Sequence, residues 1–380
     1  MDALNRTTLR NITAFSAAAL AGMALVVGCG EDEAEFDRGA VIEGMGTGVI
    51  MPTVDALHAA SQELDTAAQT FCDAPDATTL EAARDAWLAV KAPLKRSESF
   101  SFGPARVPRV QMSMNVDKWP GRGENIEAAL DTEATIDEAY LTSLDYRDRV
   151  YGYPAAGYLL FGAPEGAADT LAAYTDAAYL PEKRCEYLLA VTDHAAGIVA
   201  EYHNRWSPEG DGYLTQFVEA GSSDAFPSEQ DAFTAVTGTM LFALVQISEM
   251  KLGVPLMGNE GAPKPEEVEA PYSNTSVDHA LWAFEGVERL YLGTDEAMGL
   301  SDYVQFRQAA GNVDQTVRER IAAARSALEA LNAPLAETVV NDADAVQAAI
   351  DAVDQLNQAL SGEVSTLLGI NPTTVEGDND

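Results

Sequence analysis

The stretch VQAAIDAVDQLNQALSGEVSTL, residues 346–367, places apolar side chains at Val346, Ile350, Val353, Leu356, Leu360, Val364 and Leu367. The steps are three or four residues, the spacing that holds a stripe on one face of an α-helix. The same spacing recurs upstream. Val317, Ile321, Ala324, Leu328 and Leu331 form one stripe, and Val54, Leu57, Leu64, Ala68 and Phe71 form another. Asp76-Ala77-Thr78-Thr79 supplies a helix N-cap ahead of a third stripe, Leu80, Ala83, Trp87, Val90 and Leu94. Residues 141–161, 182–206 and 231–252 read as further long helical segments. Alanine is abundant and period-two alternation is scarce, so the expected fold class is all-α, built as helical bundles with short connections.

Two stretches break this rhythm. Residues 97–126 contain Gly103, Pro104, Pro108, Pro120, Gly121 and Gly123, and residues 255–276 contain Gly258, Gly261, Pro263, Pro265 and Pro271. Both are longer than ordinary helix–helix connections, and long irregular segments inside compact domains are often functional. A softer break at Ser207-Pro208-Glu209-Gly210-Asp211-Gly212 divides the body in two. The expected organisation is an N-terminal bundle over 49–207 and a C-terminal bundle over 213–372, with a cleft between two lobes and an acidic tail at 373–380.

The chain has 380 residues, 60 acidic against 23 basic, for a formal net charge of −37. Hydrophobic residues at 47% are too many for a disordered polyampholyte. So acidic a surface repels phosphate backbones, so nucleic acid is excluded as a partner. The runs Glu31-Asp32-Glu33, Glu266-Glu267 and Glu376 to Asp380 read as solvated acidic surface. Asp342-Ala343-Asp344 lacks the following glycine and distal glutamate of a calcium loop.

The amino terminus reads as an address. Arg6 and Arg10 precede an apolar run from Ile12 to Val27 that ends in Val26-Val27-Gly28-Cys29. That is a signal peptide over 1–28 closing on a lipobox, with Cys29 as the lipidated residue and membrane anchor. Residues 29–48, acidic and glycine-rich, are expected to be a flexible tether. Gly30 after the cysteine favours the outer membrane by resemblance to other lipoproteins, facing the periplasm or the cell surface. An exported chain meets an oxidising compartment, and Cys72 and Cys185 lie at the end of one predicted helix and the start of another. A Cys72–Cys185 disulfide is therefore expected.

Trp87 followed by Ser97-Glu98-Ser99-Phe100-Ser101-Phe102-Gly103-Pro104, then Asp117-Lys118-Trp119-Pro120, resembles the first blocks of the imelysin family, which includes the iron-regulated protein A and insulin-cleaving membrane peptidase groups. Ser248 to Leu256, Pro271 to Asp278, and Leu367-Leu368-Gly369-Ile370 resemble its later blocks, in the right order. The resemblance implies an all-α fold of two bundles with a shared site near their interface, a link to iron acquisition with iron-uptake components as partners, and a peptidase label on some members. The family signature is G-x-H-x-x-E. Here it aligns with Gly152-Tyr153-Pro154-Ala155-Ala156-Gly157, ahead of Tyr158-Leu159-Leu160-Phe161-Gly162. Proline and glycine offer no ligating atom where histidine and glutamate would share a metal ion.

No H-E-x-x-H, no G-x-S-x-G and no phosphate-binding glycine loop is present, and the four histidines are His58, His194, His203 and His279. His194 with Glu201, and His203, meet on helix faces by spacing, but read as helix-surface or capping residues. The surviving blocks nominate Glu98, Ser99, Asp117, Trp119, Tyr153, Glu249, Ser273 and Asp278 as the ligand-binding set, with Ser97 and Arg106 beside them. Carboxylates with hydroxyls suit hard cations such as ferric iron or calcium. Phe100, Phe102 and Trp119 read equally as core anchors. The function these readings converge on is non-enzymatic ligand or metal binding linked to iron acquisition. The alternatives are a metallopeptidase-type hydrolase, and an interaction scaffold whose cleft is filled by side chains.

Overall fold

The computed structural model describes residues 36–257, 261–308, 311–331 and 334–371. The signal peptide, Cys29, the first part of the expected tether and the acidic tail lie outside the described residues. Residues 36 onward form one compact unit. It is helical throughout, and the one β pairing among the described residues is an isolated bridge between Thr294 and Ala297.

The principal helices are α1 (Arg38–Met45), α2 (Met51–Asp73), α3 (Ala77–Ser97), α4 (Gly152–Phe161), α5 (Pro181–Trp206), α6 (Glu229–Val245), α7 (Ser276–Leu292), α8 (Val313–Glu329) and α9 (Ala343–Ala359). Helices α2, α3, α4 and α5 pack on one another, and α6, α7, α8 and α9 do the same. The two groups join where α3 lies along α7. Each apolar stripe read from the sequence is buried. Val54, Leu57, Leu64, Ala68 and Phe71 are fully buried on α2, as are Val346, Val353, Leu356, Leu360 and Val364 on α9 and its extension. The Asp76 carboxylate accepts from Thr78 N and Thr79 N and so caps α3. Cys72 near the end of α2 and Cys185 in the first turns of α5 are disulfide-bonded, with Cα atoms 5.6 Å apart.

Three expectations change. From Arg38 the expected tether is helix α1, which buries Val41, Ile42 and Met45 against α6 and against the helices at 213–218 and 300–307. A Cβ on Gly44 would stand 2.5 Å from Met298 O, so the glycine there serves close packing and not a loop. Residues 141–161 are not one helix. They hold the end of a short helix at 138–143, a 3-10 turn at 146–148, and α4, because Gly152 takes a left-handed backbone and Pro154 fits only a first turn. Finally, π-helical turns at 46–50 and 246–253 lie just ahead of Pro52 and Pro255. Each proline lacks an N–H and crowds the carbonyl four residues back, and the wider turn relieves both faults.

Candidate functional site

The two irregular segments and helices α3 and α7 converge on a buried cluster of charge. Trp87, Lys91 and Lys95 follow at four-residue steps along α3, and Glu98 begins the 3-10 turn that extends it. Asp117 comes from the first irregular segment, Glu269 from the second, Lys251 from the π-turn and His279 from the start of α7. The segment that carries Asp117 is pinned by its own backbone. Asp117 N donates to Met112 O at 2.9 Å, and Tyr153 N on α4 donates to Val116 O at 2.8 Å. Ala270 N, next to Glu269, donates to Ser276 Oγ at 2.9 Å, which ties the second segment to the start of α7.

The side chains of Lys91, Lys95, Lys251, Glu269 and His279 are at most 1% exposed, Asp117 is 5% and Glu98 is 25%. Lys95 Nζ sits at the centre. It contacts Asp117 Oδ2 and Glu269 Oε1, and donates to Glu98 Oε1 at 2.8 Å. Lys91 Nζ pairs with Asp117 Oδ1. Lys251 Nζ donates to Glu269 Oε2 at 2.7 Å and to Glu98 Oε1 at 3.1 Å, and lies 5.0 Å from the Trp119 ring centroid. His279 Nδ1 is 3.1 Å from Glu269 Oε1.

The electrostatics follow from this arrangement. Burial would raise the Asp117 and Glu269 carboxyls, but the lysines around them hold both below the usual range. Burial would lower Lys95, but Asp117, Glu269 and Glu98 outweigh it and keep the ammonium well above its ordinary pKa. For Lys91 burial prevails and the pKa is lowered. Burial also lowers His279 to about 4, so the imidazole is neutral at pH 7. Three ammonium groups thus meet three carboxylates around a neutral ring, and the cluster closes its own charge.

The trio Glu98, Asp117 and Glu269 offers carboxylate oxygens within 4.8 Å of one another, the geometry a hard cation would use. Lys95 Nζ is ion-paired with all three, so the place of the cation is taken by the protein's own ammonium. The motif positions fare no better as ligands. Pro154 and Gly157 line a void of about 10 Å³ together with Trp87, Glu269 and His279. A Cβ on Gly157 would stand 2.8 Å from Trp87 Cζ2, and Trp87 Nε1 donates to Tyr153 O at 2.8 Å. The indole therefore fills the space a side chain at 157 would need. The residues present do not fit a resident metal ion.

Above the cluster lies a cleft of about 490 Å³. Glu98, Asp117 and Trp119 line it, as do Arg106, Lys118, Arg149 and Glu267, with Met112, Met114, Met250 and Phe242 as apolar wall. Glu267 is held between Arg122 Nη2 at 2.6 Å and Arg149 Nη1 at 3.4 Å. Part of the run read as solvated acidic surface is thus engaged in ion pairs, and its neighbour Glu269 is buried.

Of the residues nominated from sequence, Glu98, Asp117 and Trp119 meet at this site. Ser273 lines the small void and pairs with Thr275 Oγ1 at 2.8 Å. Ser99 is buried, donates to Arg96 O and packs against Gly286 of α7, a structural position. Tyr153 is fully buried with its hydroxyl toward Ser61 of α2. Glu249 and Asp278 are exposed. Their near neighbours Lys251 and His279 are the inward-facing residues, because the π-turn and the first turn of α7 set the facing. Phe100 and Phe102 are core, edge-on to Trp206, whereas Trp119 is half-buried at the cleft. His194 approaches Glu138 and His203 approaches Asp55, both away from the cluster. Lys91, Lys95, Lys251, Glu269 and His279 had not been nominated. The signal for the first two was present, since two lysines flank the buried stripe of α3.

A family model described as Imelysin matches residues 50–362. The chain is 27% identical over 323 residues to iron-regulated protein A of Synechococcus elongatus, covering 83% of this chain and 82% of that one. Among solved structures, one described as an iron-regulated protein A precursor from Parabacteroides distasonis superposes with a TM-score of 0.72 at 20% identity, over 87% of this chain and 95% of that one. An imelysin-like protein from Psychrobacter arcticus gives 0.64 at 15% identity, over 88% and 96%. At these identities the likeness of the two structures is one of fold.

Proposed function

We propose that this chain, which belongs to the imelysin family, is an exported, lipid-anchored protein that binds a small ligand in the cleft above the Lys95 cluster and serves iron acquisition without catalysing a reaction. The observation that carries the reading is the closed charge of the cleft floor. A hydrolase needs a nucleophile beside a base, or a metal-bound water. Here the carboxylates are held by lysines and the buried imidazole by Glu269, while Pro154 and Gly157 supply no ligands where the family motif places them. A pre-organised polar floor under a half-open cleft suits binding.

The lipobox supports acylation at Cys29 and residence at the outer membrane. The iron link is carried over from the printed names of the relatives, and components of an iron-uptake system are the partners it implies. Three experiments test this reading. Labelled palmitate should enter the wild-type chain and not the Cys29→Ser variant. Cells that depend on this protein for growth under iron limitation should fail with Ser101→Trp, which blocks the cleft. Peptide cleavage by the purified protein that vanishes in Glu98→Gln would overturn the non-enzymatic assignment.

A further inference from the structure

Helix α1 leaves little slack between a lipid on Cys29 and the body of the protein. Six residues, 30–35, separate Cys29 from Phe36. Seven residue steps reach at most about 25 Å when fully extended. A lipid on Cys29 therefore keeps Phe36 within that distance of the bilayer surface, whatever path those residues take. What stands around Phe36 decides which side of the body the bilayer meets.

Phe36 belongs to an aromatic ladder. Its ring stacks on Phe306 with centroids 4.7 Å apart and on Tyr303 at 5.6 Å, and Tyr303 stacks on Phe233 at 5.0 Å. The ladder runs outward from the core. Phe233 and Tyr303 are buried, Phe36 is half-buried and Phe306 is 53% exposed. Leu180, Met250, Met257, Phe306 and Val340 are the exposed large hydrophobic side chains among the described residues, and Phe306 is the aromatic one. The exposed ring thus stands where the tether joins. The charges beside it are already met. Asp37 accepts from Ala40 N at 3.0 Å, Asp302 accepts from Gly299 N at 2.9 Å, and Arg38 pairs with Glu229 at 2.8 Å. Arg307 Nη2 donates to Leu367 O at 3.5 Å. Paired charges leave water at lower cost than unpaired ones, and an aromatic ring gains at the boundary of headgroups and acyl chains.

We propose that the face built on Phe36 and Phe306 lies on the lipid bilayer. This rests on the reading of Cys29 as the lipidated residue. Two rings are too small a patch to hold a soluble protein on lipid. The short tether makes the contact intramolecular, so a weak patch is enough to fix orientation. Glu229, at the start of α6, pairs with Arg38 on this face, and Phe242, near the end of the same helix, lines the cleft. The thirteen residue steps between them, at about 1.5 Å each, set the cleft about 20 Å along α6 from the docked face. The docked face and the cleft are at opposite ends of that helix.

Electron spin resonance on the full lipidated chain in vesicles of phosphatidylcholine and phosphatidylethanolamine tests this. With the lipid on Cys29 and Cys72 bridged to Cys185, Gln305→Cys supplies the one free thiol for a spin label. Gln305 is exposed and adjacent to Phe306. The control is Val340→Cys, on the helix at 335–341 that packs against the turn holding Glu267 of the cleft. The label at 305 should collide several-fold more with dissolved oxygen, and several-fold less with a water-soluble nickel complex, than the label at 340. Phe306→Asp should return the 305 label to water. Equal access of nickel to both labels, or a 305 label that Phe306→Asp leaves unchanged, overturns the inference. So does spin–spin broadening at 305 that vanishes on dilution with unlabelled protein, since a second copy then covers this face. If labelled palmitate enters at Cys29 while the 305 label still faces water, the docking falls and the anchor stands. If no palmitate enters, the anchored reading falls with it.

Discussion

Replacing Lys95 with methionine removes the one ammonium that touches Asp117, Glu269 and Glu98 together. Methionine matches the stem in length and packs well, so the perturbation is one of charge more than of volume. Two lysines then face three carboxylates, all but Glu98 nearly inaccessible to water. Removing one partner of a buried ion pair costs about 3–5 kcal/mol because the other charge is left uncompensated. Urea denaturation of Lys95→Met should show a loss of that size. Adding Asp117→Asn to Lys95→Met restores the balance, so the double variant should recover about 1 kcal/mol or more relative to the sum of the single changes. The carboxylate trio should also become open to calcium or manganese. At a hundredfold excess over its dissociation constant such an ion would return about 2.7 kcal/mol. Wild type should show no comparable gain. A Lys95→Met protein within 1 kcal/mol of wild type, or equal stabilisation of both proteins by the ion, would refute the reasoning.

Further outcomes follow from the same geometry. His279 has a pKa of about 4 in the fold against 6.5 when unfolded, so the unfolded chain takes up a proton that the fold refuses. Its contribution is complete above about pH 6.5 and is lost as the pH falls toward 4, a swing of about 3 kcal/mol. Denaturation at stepped pH should therefore show His279→Gln flattening the profile between 4 and 6.5. Gly157→Glu, which returns a carboxylate to the motif, should destabilise by about 1–3 kcal/mol through its clash with Trp87, without creating zinc or iron binding by calorimetry. Changing both Cys72 and Cys185 to alanine opens a loop spanning 113 residues and should cost about 2–5 kcal/mol in urea melts.

The helical fold was open to reading because three- and four-residue apolar spacing is a local signal, and α2, α3, α5, α8 and α9 all carry it. Residues 38–48 were misread because Gly39, Gly44, Gly46 and Gly48 look like loop composition. Gly44 packs on Met298, Gly48 on Ala297 and Gly46 on Leu214, Phe217 and Val218, all distant in sequence. The site was legible in part for the same reason. Glu98, Asp117 and Trp119 lie in conspicuous glycine- and proline-rich segments. Lys91 and Lys95 sit within a helix whose stripe was read as purely apolar, and their burial makes sense only once Asp117 and Glu269 arrive from elsewhere. Glu249 and Asp278 were chosen by residue type. Facing decides function there, and the π-turn that turns Lys251 inward has no spacing signature of its own.

If Lys95 is the cation of this site, the wild-type carboxylate trio has no room for a metal ion. Metal analysis of the wild-type protein, purified without chelators and dialysed against ferrous and calcium ions, measures this directly. Substoichiometric metal in wild type, with about one equivalent appearing in Lys95→Met, is the predicted result. One tightly held equivalent in wild type that disappears in Asp117→Asn would contradict it.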